Sequence, residues 1–250
     1  MDGHERVQEG AGQAGSGSDA ARPGPGLVVS QTRGTGHVGP ITIDPAVSRI
    51  RRMRRGVTSA ADLIRDAYPG YYAAMITLTY ERSDAWAPQH IKEFIRLCRQ
   101  YSQRRGHPFP YVWVAEMQKR GAIHYHVMIW LPRGVRLPKP DRQGWWKHGM
   151  SRIEKARSVG YLVKYASKGA VGPRLPERAR MFGCGGLSKE QRNTRAYLTA
   201  PAWVRECFEE DDEPRRATGG GWYSRVRGDW LPSPWRVSFQ GGAVVLTRVE

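Results

Sequence analysis

The sequence predicts an α+β fold: an antiparallel β-sheet that carries its helices on one face and leaves the other face open. Three observations predict it. Residues 111–118 and 122–131 alternate in the period-two manner of strands, and Lys119-Arg120-Gly121 between them suits a hairpin loop with glycine in the left-handed position. Residues 88–105 repeat their apolar side chains with helical spacing instead. The resulting order of strand, helix, strand, strand, strand, helix is an α+β pattern, not the strict alternation of a parallel sheet.

The chain opens with residues 1–40, rich in Gly, Ser, Ala and Pro and lacking any apolar period, so a disordered tail is expected. Residues 41–70 read as a basic helical lead-in. Ser48 to Arg55 crowds five arginines between sparse apolar residues, and the helix continues through Ala60, Ala61 and Ile64 to about Ala67. Arg51, Arg52, Arg54 and Arg55 are candidate contacts to a nucleic-acid backbone, the alternative being a merely solvated charged face.

Residues 71–208 are expected to form the main domain. Its first strand is Tyr72 to Tyr80, rich in threonine and apolar residues, with Thr77 and Thr79 on one face. Pro88 suits the first turn of a helix reaching Arg105, with Ile91, Phe94, Ile95, Cys98 and Tyr101 as its core stripe. His90 and His107 are read as surface residues. Residues 132–144 hold three prolines and read as a loop, Trp145 and Trp146 as core or sheet-edge aromatics, and Met150 to Glu154 as a short strand. Residues 182–187 read as a glycine-rich turn and 197–208 as an element capping the core. Residues 209–221 read as an acidic, Gly-containing linker and 222–250 as a C-terminal extension, a β-hairpin turning at Gly241-Gly242.

Within the central hairpin, Ile123, Tyr125, Val127, Ile129 and Leu131 point one way and His124, His126 and Met128 the other. The three-residue loop places Glu116 across from His124, Met117 across from Ile123 and Ala115 across from Tyr125. Two imidazoles and a carboxylate then converge on one face, a donor set suited to a divalent metal; a one-residue slip would turn Glu116 away. On its own, a His-x-His pair on a strand also fits an ordinary polar face.

A second constellation lies at residues 158–169. On a helix, Tyr161, Lys164, Tyr165 and Lys168 fall in one sector about 100° wide, while Val159, Leu162, Val163 and Ala166 occupy the other side. Gly169 would stop that helix. The bland alternative is a surface helix with solvated lysines.

Composition narrows the partner. Lys plus Arg number 40 against 23 Asp plus Glu, a formal net charge of +17. Such an excess favours a polyanion, because each neutralised phosphate releases condensed counterions. No long apolar span or N-terminal signal pattern is present, so no membrane role is expected. The three cysteines are widely spaced, which argues against a zinc ribbon or disulfide framework and fits a reducing cytoplasm. No Walker-type phosphate loop occurs, so a built-in helicase motor is not expected.

His124-Tyr125-His126, the strand Met75 to Tyr80 and the run Tyr161-Leu162-Val163-Lys164 together resemble the HUH endonucleases. The additional Tyr165 and Lys168 resemble the two-tyrosine rolling-circle replication initiators of small single-stranded DNA phages, filamentous phages and some plasmids. The resemblance covers about residues 71–169. It implies an RRM-like fold with the metal and DNA site on the open sheet face, in a bacterial host cytoplasm. It implies a Mg²⁺ or Mn²⁺ ion held by His124, His126 and Glu116, with Tyr161 as nucleophile, Tyr165 as its alternate, and Lys164 and Lys168 favouring the charged phenol. Thr77 and Thr79 would lie near the DNA. The implied reaction nicks single-stranded DNA at an origin, leaving a 5′-phosphotyrosine link and a 3′-OH primer, and later rejoins the strand; a host helicase would unwind the duplex. The same chemistry serves HUH transposases and relaxases, although relaxases usually carry a third histidine where glutamate stands here. A zinc hydrolase or a non-catalytic basic DNA-binding protein are the more distant alternatives.

Overall fold

The structure is a computed structural model that describes residues 39–156, 158–168 and 175–249, with 165–168 as backbone only. Residues 1–38, nearly all of the expected tail, and Gly169, the expected helix stop, lie outside it.

A short strand β1 (Ile41–Ile43) leads into helix α1 (Pro45–Ala67). Asp44 starts that helix: its carboxylate accepts from the Ala46 and Val47 amides at 2.7 and 3.2 Å, and Pro45 follows where a missing N–H costs nothing. Ile50, Met53, Val57, Ala60 and Ile64 form its buried stripe. Strand β2 (Tyr71–Tyr80), helix α2 (His90–Gln103), strands β3 (Tyr111–Met117), β4 (Ile123–Pro132) and β5 (Gly149–Lys155) and helix α3 (Val159–Lys168) follow. Their order is the expected one. Strand β6 (Phe182–Gly185) and helices α4 (Lys189–Thr199) and α5 (Ala202–Arg205) complete the main body. Strands β7 (Pro214–Arg216), β8 (Trp222–Ser224), β9 (Trp230–Leu231), β10 (Trp235–Gln240) and β11 (Ala243–Arg248) make the rest.

The central sheet has the order β5-β2-β4-β3-β6 and every pairing in it is antiparallel. The α+β antiparallel architecture is therefore as expected. Its helices, however, occupy both faces. Helix α2 covers one face, packing Phe94, Ile95 and Cys98 on Ile76, Leu78, Tyr125 and Val127. Helices α1 and α3 cover part of the other, with Met53, Val57 and Leu162 packing beside Met75, Val114, Met128 and Trp130. The strands demand this, because Met75, Val112, Met128 and Trp130 make the histidine face apolar at one end, and apolar area left in water costs roughly 25 cal/mol per Å².

Two further readings are corrected. Residues 182–185 are an edge strand and not a turn, with Gly183 opposite Trp113 and Gly185 opposite Tyr111. A Cβ on Gly183 would lie 2.5 Å from Trp113 Nε1, and one on Gly185 would lie 2.6 Å from the Tyr111 ring. Glycine here lets the aromatic rings rest on bare backbone. The acidic run 209–213 is folded rather than a linker: Asp212 is buried, accepts from the Glu209 amide at 2.9 Å and pairs with Arg227 at 2.9 Å. Residues 235–248 do form a hairpin turning at Gly241-Gly242, and β1 joins it in a three-stranded sheet. Strands β7, β8 and β9 form a third sheet. Trp146 is buried, donating its indole N–H to the Thr79 carbonyl at 3.1 Å. Among the described residues, no helix is long and apolar enough to cross a membrane.

His90 is not a plain surface residue. Its ring stacks on that of His148 with centroids 3.6 Å apart, and Tyr80 Oη lies 3.0 Å from its Nδ1. Burial lowers both histidine pKa values, helped by His148 beside His90 and by Lys147 beside His148. With folded values below the unfolded value of about 6.5, the unfolded chain takes up protons first, so this contribution to stability is complete above that pH and falls below it.

Two outcomes follow for stability. Gly183→Ala forces Trp113 aside and lowers the unfolding free energy by about 1–3 kcal/mol, read as a lower urea midpoint; an unchanged midpoint would contradict the packing described. The double variant His90→Gln/His148→Gln loses less melting temperature than the parent when pH is lowered from about 7 to about 5, and an equal loss would show that the pair does not titrate on unfolding.

Candidate metal centre

The register of three strands assembles the centre. Glu116 on β3 is paired with His124 on β4, Met117 with Ile123 and Ala115 with Tyr125, as the three-residue loop requires. Gly121 in that loop has φ +81°, and the Gln118 amide donates to Ala122 O at 2.9 Å to close it. On the other side, Thr79 pairs with His124 and Thr77 with His126. Strand β5 then places Met150 beside Thr79 and Arg152 beside Thr77. The histidine face therefore carries the row Met150, Thr79, His124, Glu116, and next to it the row Arg152, Thr77, His126, Val114.

Glu116, His124 and His126 each offer a ligand atom, and these atoms lie within 4.8 Å of one another. Ligands about 2.0–2.2 Å from one ion are separated by about 3–4.4 Å, so small side-chain rotations close the set around a cation. His126 Nε2 lies 2.9 Å from Glu116 Oε2, and its Nδ1 lies 3.3 Å from Thr77 Oγ1. The second contact gives Nδ1 a partner while Nε2 faces the centre, the arrangement that orients a metal-binding imidazole. His124 is different: its Nε2 is buried and has no hydrogen-bond partner among the described residues. A buried polar atom left this way is costly unless something absent from the chain itself completes it. Burial, then the neighbouring His126 and Arg120, hold the His124 pKa down to about 4, against the opposing pull of Glu116. Its imidazole is thus neutral at physiological pH, the form that ligates metals. The residues fit a divalent cation. Two nitrogens and one carboxylate oxygen suit Mn²⁺ better than Mg²⁺, which prefers oxygen alone.

Helix α3 packs against β3, β4 and α1. Leu162 is buried, with Val159 and Val163 packed beside it, as the helical wheel requires. Tyr161 is half-buried in the first turn, where its amide donates to Ser158 Oγ at 3.2 Å, and Lys164 is exposed one turn on. Tyr165 and Lys168 lie on α3, but their side chains fall outside the described residues.

The arginines of α1 divide. Arg51, Arg52 and Arg54 are exposed, whereas Arg55 Nη1 donates to the Ala200 and Thr199 carbonyls at 3.3 and 3.5 Å, satisfying the end of α4. Three residues escaped the sequence reading. Arg120 in the hairpin loop donates to the Tyr80 and Glu81 carbonyls at 2.5 and 3.2 Å, which fixes its positive charge near His124. Met150 and Arg152 are 69% and 78% exposed beside the threonines. The alternation of β5 was legible, but only its pairing with β2 shows which residues join the histidines.

Substituting His124→Ala removes saturable Mn²⁺ binding in calorimetry while the far-UV spectrum stays native; retained binding would remove His124 from the ligand set. Thr77→Val, which keeps shape but loses the partner of Nδ1, weakens Mn²⁺ binding about 10–100-fold, and unaltered affinity would deny that positioning role.

Residues 73–170 match the model of a family described as replication-associated protein ORF2. That span is less than half of the chain, yet it runs from β2 through α3 and contains the whole Glu116, His124, His126 cluster and both tyrosines. No curated protein and no solved structure matches the chain at a significant level. Over its central domain the chain is similar to the replication-associated proteins of that family.

Proposed function

We propose that this protein is a rolling-circle replication initiator of HUH type, which nicks single-stranded DNA at an origin by metal-dependent tyrosine transesterification. The observation that carries the reading is the buried Nε2 of His124, without a partner among the described residues, within a His, His, Glu set beside a packed helix bearing Tyr161. The family match over residues 73–170 supports replication rather than transposition or conjugative transfer.

A phosphodiester resists attack because its anionic oxygens repel nucleophiles. A divalent ion held by Glu116, His124 and His126 supplies charge neutralisation at the scissile phosphate when bound. Tyr161 Oη attacks phosphorus, and the bond from phosphorus to the 3′ oxygen breaks. The phenolic proton is lost to solvent and the departing 3′ oxygen takes one up. A 5′-phosphotyrosine and a free 3′-OH result. Tyr161 stands in the first turn of α3, where the helix dipole is positive and favours the negative charge that develops. Lys164 adds a cation one turn on, and Lys168 a second. Tyr165, also one turn from Tyr161, takes the alternate cut after a round of synthesis, and the conserved bond energy lets the strand rejoin without ATP. Thr77, Thr79, Met150 and Arg152 form the floor on which the strand lies, and Arg51, Arg52 and Arg54 extend the basic surface. Unwinding is assigned to a host helicase.

The test uses labelled single-stranded DNA from the protein's own replicon, incubated with Mn²⁺ or EDTA and run on a denaturing gel. A metal-dependent protein–DNA adduct is expected. It disappears in Tyr161→Phe/Tyr165→Phe and persists in at least one single variant. Cleavage without an adduct would indicate a hydrolase, and binding without either would indicate a non-catalytic DNA-binding protein.

A further inference from the structure

The face of the sheet opposite the histidines carries a feature that the metal centre does not use. Between α2 and β6 lies a cavity of about 290 Å³. Its aromatic lining is Trp86, Tyr111, Trp113 and Tyr125. Trp113 and Tyr125 come from β3 and β4, the strands that present Glu116, His124 and His126 on their other side. The rings are held in place: Trp86 Nε1 donates to Tyr125 Oη at 2.7 Å, and Trp113 stands edge-on to Tyr125 at 5.6 Å. Glycine on β6 leaves room for the Trp113 ring.

Cations flank this aromatic floor on two sides. Lys92, Arg96 and Arg99 line it from α2, spaced at i, i+4 and i+7, so they form one stripe about 10 Å long. Arg178 and Arg180 line it from the segment entering β6. Arg96 is paired with Glu93 at 2.5 Å. Among the described residues, no carboxylate pairs with the other four, which are all exposed. Arg178 holds φ at +66°, a conformation that a non-glycine residue keeps only when its surroundings impose it.

We propose that this cavity is a second binding site for single-stranded DNA, behind the cleavage face. Its chemistry is that of a strand: flat aromatic surfaces for an unstacked base, and guanidinium and ammonium groups on either bank for successive phosphates. A duplex is excluded, because its bases are stacked inside and offer nothing to the aromatic floor. The choice of DNA rests on the function proposed above, but the binding needs neither metal nor tyrosine. The site anchors a stretch of strand away from the scissile phosphate and holds the DNA while the reacting end changes hands.

The experiment measures binding of a labelled oligothymidylate to the full chain in EDTA, so that a failure of cleavage chemistry leaves it unaffected. For Arg99→Ala/Arg178→Ala/Arg180→Ala, the slope of log affinity against log salt falls by about 2, roughly 0.7 for each lost phosphate contact. The control Arg133→Ala/Arg216→Ala/Arg236→Ala removes as many exposed charges elsewhere and leaves the slope unchanged. Equal falls in both variants, or none in the first, would overturn the proposal. A second measurement needs no variant. Cys184 lines the cavity and Cys207 is exposed away from its lining. The oligonucleotide slows alkylation of Cys184 several-fold but not of Cys207. Equal alkylation with and without DNA overturns the proposal, as does equal protection by thymidine monophosphate or by polyglutamate, which would point to a free nucleotide or an acidic chain.

Discussion

The pairing of Glu116 with His124 across the β3–β4 hairpin is the constraint on which the rest of the site depends. Side chains on a strand alternate faces, so a slip of one residue would send the carboxylate to the α2 side and dismantle the cluster. Two features prevent the slip. Gly121 takes the left-handed conformation that a three-residue loop needs. Ile123, Tyr125, Val127 and Ile129 are buried under α2, and any other register would expose them.

Once the register is fixed, electrostatics makes the cluster receptive to a cation. His124 is neutral because it is buried beside another imidazole and a fixed guanidinium, and no described residue bonds its Nε2 and holds it back. His126 is oriented from both ring nitrogens, by Glu116 on one side and Thr77 on the other. The site is thus ready before a metal arrives, which reduces the reorganisation that binding would otherwise require.

The two faces of the sheet serve different ends. Helix α1 covers the apolar end of the histidine face and leaves Thr77, Thr79 and the β5 edge accessible for a strand. Helix α2 closes the opposite face except where β6, built from glycines, leaves a cavity floored by Trp113 and Tyr125. The same two strands therefore present metal donors forward and aromatic rings backward. That division follows from period-two alternation alone.

The sequence by itself determined the hairpin, its loop, the facing of Glu116, His124 and His126, and the apolar side of α3. These are local matters, set by alternation, helical period and a loop of three residues. Only the tertiary structure decided which residues from distant segments meet. Strand β5 pairs with β2, so Arg152 stands beside Thr77; Arg55, legible only as a charge, is bonded to the end of α4; and 182–185 became a strand because Gly183 and Gly185 admit the Trp113 and Tyr111 rings. The placement of helices on both faces was hidden for the same reason. Which face a helix covers depends on the apolar area that remains after the strands have paired, and pairing between distant strands leaves no periodic trace in the chain.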